Sequence, residues 1–453
     1  MKHPSPVSST RLLLVAFLFL LIVISAMAVP ANAAPRGIVT VTNTNDSGAG
    51  SLRGAIVNAL PNDTIVFSLT LPATITLASA LEITQSLTIS GPGSSLLSLS
   101  GDYATRVMTV SSVSTLNLSD ITITQGSINW QGSAIYNAGT LSITGSTFAV
   151  NSGGPIWNKG TLHISDSTFS GNHSIFSSSA IDNDNVMTVA NSIFSNNTAY
   201  GPAIGNTGIL TITNTTLSGN NGRDAGGIVN DGTLIVSDTS FSGNNGWSGG
   251  GISNRSDGTL TVAKSTFAGN SAYQSGQGGG IDNFGIAIIA NSTFYSNTAT
   301  SQGGGIYNSA TLTMTNATFS GNSAVQGGGI YVTGTVTATL RNTIVANSTA
   351  GGNCSGAITN GGNNLDDGTT CGWGSFSGSM SNTNPNLGSL ANNGGATQTM
   401  ALLPGSPAID GVAFNAPNGC PSSDQRGVAR PIGLRCDIGA YEARYFLFPL
   451  VFR

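Results

Sequence analysis

Acid–base cleavage of a glycosidic bond needs two carboxyl groups held ~5 to 9.5 Å apart, and Ca²⁺-assisted elimination needs a carboxylate cluster with a base beside it. The chain contains 19 acidic residues, only two of them glutamates, Glu82 and Glu442. Four aspartates stand at related places in the middle of the sequence. Asp182 and Asp282 each follow the isoleucine of a GGGIxN-like segment, and Asp184 and Asp231 stand two positions further on. Whether any two of them can share a substrate depends on how these segments stack.

The segments are repeats. Their anchor isoleucines are Ile135, Ile156, Ile181, Ile204, Ile228, Ile252, Ile281, Ile306 and Ile330, spaced by roughly 24 residues. Between anchors runs a second block, as in GTLHISDSTFSGN, whose aromatic falls at Phe148, Phe169, Phe194, Phe241, Phe267, Phe294 and Phe319, with Leu217 and Ile344 in its place in two copies. An Asn follows three residues later, from Asn151 to Asn347. Pairs such as Leu141 with Ile143 and Leu162 with Ile164 alternate with small polar residues, the period-two pattern of strands buried on one face. One repeat therefore reads as three short strands, GGIxN, TLxIx and STFxxN, joined at Gly, Asn and Ser corners. Such a unit has no core alone, and stacking in register at ~4.8 Å buries a continuous apolar column. The expected fold is all-β, a right-handed parallel β-helix of about twelve coils, because parallel crossovers are overwhelmingly right-handed. The repeated Asn residues are read as stacked amide ladders.

Stacking places the candidate acids. Asp182 and Asp282 are four coils apart, about 19 Å, too far to cooperate. The next column reads Lys159, Asp184, Thr207, Asp231, Arg255, which puts Asp184 and Asp231 ~9.6 Å apart, each one coil from a cation. This alternation reads as charge compensation, repeated by Asp238 beside Lys264. Asp184 and Asp231 are the catalytic candidates only under the alternative, enzymatic reading. Asp224 beside Arg223, and Asp366 with Asp367, fall in loops without an assignable partner. His163 shares an outward position with Ser142, Thr188, Thr211, Ile235, Thr261, Ile288 and Thr313; the two isoleucines interrupt the Thr array and count against an ice-binding face. The GGG glycines precede a strand rather than a helix, so they are corner residues and not a nucleotide fingerprint.

Composition excludes other classes. Charged residues make up 8% of the chain, against a usual ~25%, and a net charge of −4 leaves no cationic face for nucleic acid. At the start, Lys2 and Arg11 precede a 13-residue apolar run over 12–24 and the small residues of AMAVPANAA. This reads as a signal peptide cleaved after Ala33, with Ala28 as competitor, too short to span a bilayer comfortably. The four cysteines all lie late, and in an exported chain they imply disulfides with three open connectivities. Cys354 with Cys371 and Cys420 with Cys436 is the expected pairing, because each closes a short loop.

The paired GGxI and FxxN motifs over 135–347 resemble the repeats of the chlamydial polymorphic outer-membrane protein family, with Gly usually where that family has Ala. VTNTNDSGAGSLRGAI, residues 41–56, is similar to the segment opening proteins with the CSLREA motif, although Gly50, Gly54 and Ala55 replace the Cys and Glu-Ala. There Ser51 is placed to N-cap a short helix whose Leu52, Ala55, Ile56 and Ala59 share one side. LLPGSPAID, CPSSDQRGVARP and CDIGAYE resemble the choice-of-anchor Q domain, which implies a surface protein whose rod is followed by a variable anchoring tail. The expected organisation is a signal peptide (1–33), an N-terminal cap (34–64), β-helix repeats (65–350), a disulfide-containing C-terminal cap domain (351–444) and an apolar tail (445–453). The expected role is non-catalytic: an exported, adhesin-like cell-surface or extracellular protein, in the outer membrane if the envelope has one. Its ligand would be a polysaccharide or another surface protein. No cofactor, metal, nucleic acid or mature transmembrane helix is expected. The alternative is a carbohydrate-active β-helix enzyme, a polysaccharide lyase or glycoside hydrolase.

Overall fold

A computed structural model describes residues 37–128, 131–334, 336–413 and 419–444, so the expected signal peptide and apolar tail lie outside the described residues. Three long parallel sheets, of 12, 14 and 13 strands, run along the chain. In one coil, Ile228–Asn230 joins the 12-stranded sheet I, Thr233–Ser237 the 14-stranded sheet II, and Ser240–Ser242 the 13-stranded sheet III. Each strand pairs with its equivalent one coil before and after, which makes a parallel β-helix of about thirteen turns. The α-helix among the described residues is α1, Leu52–Asn58.

The core follows from alternation. In the five-residue strands of sheet II the second and fourth residues are buried, as with Leu234 and Val236, and the others face out. The inward aromatic of sheet III builds a column in which Phe148, Phe169 and Phe194, then Phe241, Phe267, Phe294 and Phe319, stack at 4.4–4.8 Å with planes within 2–4°. Leu217 occupies the gap between the two stacks. Two buried amide ladders flank it. In one, Asn137, Asn158, Asn183 and their successors to Asn308 are linked rung to rung at 2.6–2.8 Å. In the other, Asn151 to Asn322 are linked at 2.9–3.0 Å, each amide also bonding a strand carbonyl one coil back, as Asn220 does with Phe194 O. The corner between sheets II and III needs positive φ in every coil, which is why Asp166, Asn191, Asn214 and Asn291 stand there; Asp238 and Lys264 occupy the same corner at φ 50° and 51°.

Three sequence expectations are corrected. The rod begins before residue 65, because Ile38–Val41 already pairs with Thr64–Phe67 in sheet II. The helix in that first coil forms as expected: the Ser51 hydroxyl accepts from Gly54 N, and Leu52, Ala55 and Ile56 are buried against the column. At the last regular coil, Val345 rather than Ile344 pairs with Phe319, so Asn347 leaves the ladder and is exposed. Ile344 instead points outward, into a second apolar cluster with Ala408, Val412, Cys436 and Ile438.

That second cluster reflects the third correction. Residues 351–383 are one more coil: Cys354–Ser355, Thr359–Asn360 and Leu365–Asp366 extend sheets I, II and III. Cys371, disulfide-bonded to Cys354, and Trp373 join the apolar column there. From 384 onward the chain does not cap the end but folds back along the outer face of sheet III. Thr266 Oγ1 donates to Gln398 O at 2.6 Å, Thr293 Oγ1 to Gln425 Oε1 at 2.7 Å, and Ala440 N to Thr318 Oγ1 at 3.0 Å. The lobe is held by the Cys420–Cys436 disulfide and by the charged residues of the DQRG, ARP and CDIGAYE motifs. Arg426 pairs with Asp424 at 2.6 Å, and Arg430 pairs with Glu442 at 3.3 Å while donating to the carbonyls of Asp437 and Gly439. All of these charged side chains are buried, a state sustainable only because each is paired and hydrogen-bonded.

Candidate functional site

The turn that leaves sheet I carries the charged column. Asp184 N, Thr207 N, Asp231 N and Arg255 N bond the preceding coil at matching positions, which places these residues on successive rungs. The Asp184 carboxylate accepts from Trp157 Nε1 at 2.9 Å, Lys159 Nζ at 3.0 Å and Thr207 Oγ1 at 3.1 Å. Burial pushes its pKa up, but these donors outweigh burial and hold the carboxyl below the usual range. Lys159 also lies over the Trp157 ring at 4.5 Å. Asp231 stands 3.8 Å from Arg255, whose other nitrogen reaches Asp224 at 3.0 Å. Arg255 thus ties a loop carboxylate to the column, a partner that sequence reasoning did not find for Asp224.

A second pair of carboxyls lies on the outer face of sheet I, covered by loops. Asp182 accepts from the Ser178 hydroxyl at 2.7 Å, and burial pushes its pKa up to about 6. Asp282 is fully buried between Ser253 and Tyr307 on the neighbouring rungs, with its pKa raised well above the ordinary value by burial. Its inaccessibility keeps it from any substrate. Asp366, another residue without an assigned partner in the sequence, ends a strand of the added coil, where it accepts from Asn353 Nδ2, Gly368 N and Cys371 N.

The loops between sheets III and I form an exposed ridge that sequence reasoning missed. Backbone bonds run from Arg223 N to Tyr200 O and from Trp247 N to Arg223 O, so these three residues stand on adjacent rungs. The Arg223 guanidinium lies 4.0 Å from the Trp247 ring centroid and 5.5 Å from that of Tyr200. Its N–H groups make no hydrogen bond or ion pair among the described residues. A cation held between aromatic plates with its donors free can stack on a sugar ring or bind an acidic group. The signal in the sequence was one large residue at the same place in successive loops, obscured because the loops differ in length. His163 sits on the other side, facing out from sheet II and bonded to Thr188 at 2.8 Å. Among the described residues no group of three His, Cys, Asp or Glu side chains is arranged to hold a metal ion.

Residues 179–350 match the family model for the right-handed β-helix region, which gives the coils their hand. No curated protein matches the chain. Among solved structures, the chain is similar to the pectate lyase Pel9A at 14% identity and TM-score 0.38, with 91% of this chain and 98% of that one covered. It is also similar to a mutant of the PL6-family alginate lyase AlyGC at 11% identity and TM-score 0.36, covering 71% of this chain and 54% of that one.

Proposed function

We propose that the protein is an exported, surface-associated β-helix that works by binding and not by catalysis, with a polysaccharide as ligand along the Tyr200, Arg223 and Trp247 ridge. The carrying observation is the state of the two candidate acids. Asp184 is saturated by three donors and held ionised, the opposite of what a general acid needs, and Asp231 faces a cation. The free Arg223 fork between two rings is the feature aimed at solvent. Two disulfides support an oxidising compartment outside the cytoplasm, in keeping with the signal-like N-terminus. The resemblance of the 402–442 motifs to choice-of-anchor Q, of 41–56 to the CSLREA segment, and of the repeats to those of chlamydial surface proteins supports a place at the cell surface.

The test is a panel of neutral and acidic polysaccharides, scored for new chain ends and, by affinity electrophoresis, for retention. The expected result is retention without cleavage. Asp184→Asn and Asp231→Asn should leave binding intact and cost at most ~1 kcal/mol of stability, as exposed pairs do. Arg223→Ala with Trp247→Ala should abolish retention. Chain cleavage that disappears in both Asn variants would establish the enzymatic reading instead.

A further inference from the structure

Sheet II presents an open outer face with a regular chemistry. Over the eight rungs from Thr140–Thr144 to Thr311–Thr315, the first, third and fifth residues of each strand point outward in three columns in register. Half of these 24 positions are Thr, the rest are Ser, Ile, Val or Ala, and His163 alone can carry a charge. Burial pushes the His163 pKa down, so this side chain is neutral at neutral pH as well. In the first two columns, among the described residues, only Thr188 spends its hydroxyl on a protein partner. The others are free to bond water.

The rungs also repeat evenly: the stacked rings of adjoining sheet III lie 4.4–4.8 Å apart from coil to coil. A tetrahedral network of O–H···O bonds of ~2.75 Å repeats its second-neighbour oxygens every ~4.5 Å. The rung spacing therefore falls on the repeat of crystalline water. Threonine supplies both groups such a lattice needs: a hydroxyl that replaces one water, and a methyl around which first-shell water is ordered.

We propose that the outer face of sheet II binds ice. The single Thr column legible in the sequence is interrupted by Ile235 and Ile288, but the structure adds a column on each side. The Ile235 rung retains Thr233 and Ser237, and among the eight rungs only Ile286–Ala290 lacks a hydroxyl. His163, on the second rung, is the one ring and the one ionisable group among these positions; the rest of the face has neither the charge nor the aromatic plates that would hold a soluble sugar or an anionic polymer. This inference is independent of the ridge on the loops and of the glycan reading.

The experiment uses the purified full chain in assays of ice-crystal shape, thermal hysteresis and recrystallisation. The wild-type protein should facet crystals and arrest their coarsening. Thr211→Tyr and Thr261→Tyr each raise a ring from the plane and should return both behaviours to those of buffer. Thr147→Tyr, on the outer face of sheet III, should leave them unchanged. Melting curves confirm that each variant folds; should a Tyr variant melt early, Thr261→Lys replaces it, breaking the face with a charge on a solvated stem. Round crystals that coarsen with wild-type protein as they do in buffer would overturn the proposal. So would full activity in a folded variant of the face.

Discussion

The Asp282 carboxyl is fully buried, and neither oxygen finds a hydrogen-bond partner of good geometry. Gly278, at φ +68°, crosses so close that a Cβ there would meet the Asp282 Cα at 2.6 Å, so the covering loop leaves little room for compensation. Burial raises the pKa of this acid in the folded state well above the ordinary carboxylate range, and the nearby Ser248 hydroxyl offsets only part of that. A raised carboxyl pKa contributes stability below the unfolded value of ~3.9 and loses it as pH climbs through the folded value. The preceding coil has Ser253 at the same position, equally covered. Asp282→Ser should therefore raise stability by ~1–3 kcal/mol at pH 7.5, with the gain shrinking toward pH 4. Denaturant unfolding at both pH values measures this, and a variant weaker at both would show that the acid has a partner after all. Asp182, pushed only to about 6 and still bonded to Ser178, should show a smaller penalty that builds up as pH rises from ~3.9 to about 6 and stays constant above it.

Elements in this fold were legible where a pattern recurs. Period two within a strand and roughly 24 residues between coils write the same inward positions again and again, so the Ile, Leu and Phe columns and both Asn ladders could be read without coordinates. What outward residues meet could not. Thr168 and Thr293 sit in the same strand context, yet the first is half-exposed and the second is fully buried under the lobe. The last rung slipped for a related reason: Ile344 is an outward residue recruited by the lobe, and its apolarity imitates the inward column. The Asn220 side chain shows how the ladder contributes. Its oxygen takes the backbone and amide N–H of Asn197 at 3.1 and 2.9 Å, and its amide donates to Phe194 O and to Asn244. Asn220→Ala orphans several buried groups together and should cost ~2–4 kcal/mol in denaturant unfolding. Thr213→Ala, one strand away on the outside, should change stability by less than ~0.5 kcal/mol. Equal effects from the two variants would mean that the ladder is dispensable.

At the scale of the molecule, a solenoid must protect two open ends and a long set of outer faces. The helix α1 packs on the first coils, and Trp373, with the Cys354–Cys371 disulfide, joins the column at the last. The folded-back lobe is therefore not needed as an end cap; it lies across the last coils like a splint, reading Thr hydroxyls one rung at a time. Gln425 is its central contact. The amide nitrogen donates to Thr266 Oγ1, Thr397 Oγ1 and Gln398 O, and the amide oxygen accepts from Thr293, so one buried side chain joins two rungs of the rod to two residues of the lobe. The charged motif residues around it hold the lobe's own fold and touch the rod little. These two roles separate in experiment. Gln425→Ala should release the lobe from sheet III while its Arg430–Glu442 pair and disulfide keep it folded, so hydrogen exchange should rise at Gly439 and Ala440, whose amides bond Asn342 O and Thr318 Oγ1 of the rod. The coils before Thr216 should remain as protected as in the wild type, because contacts in a solenoid extend only to neighbouring coils. Arg430→Ala, which strips a buried partner from Glu442, should instead unfold the lobe itself and expose the 384–444 segment to protease. If Gln425→Ala leaves exchange at Gly439 and Ala440 unchanged, docking rests on the apolar cluster around Ile344, and the amide contact is incidental.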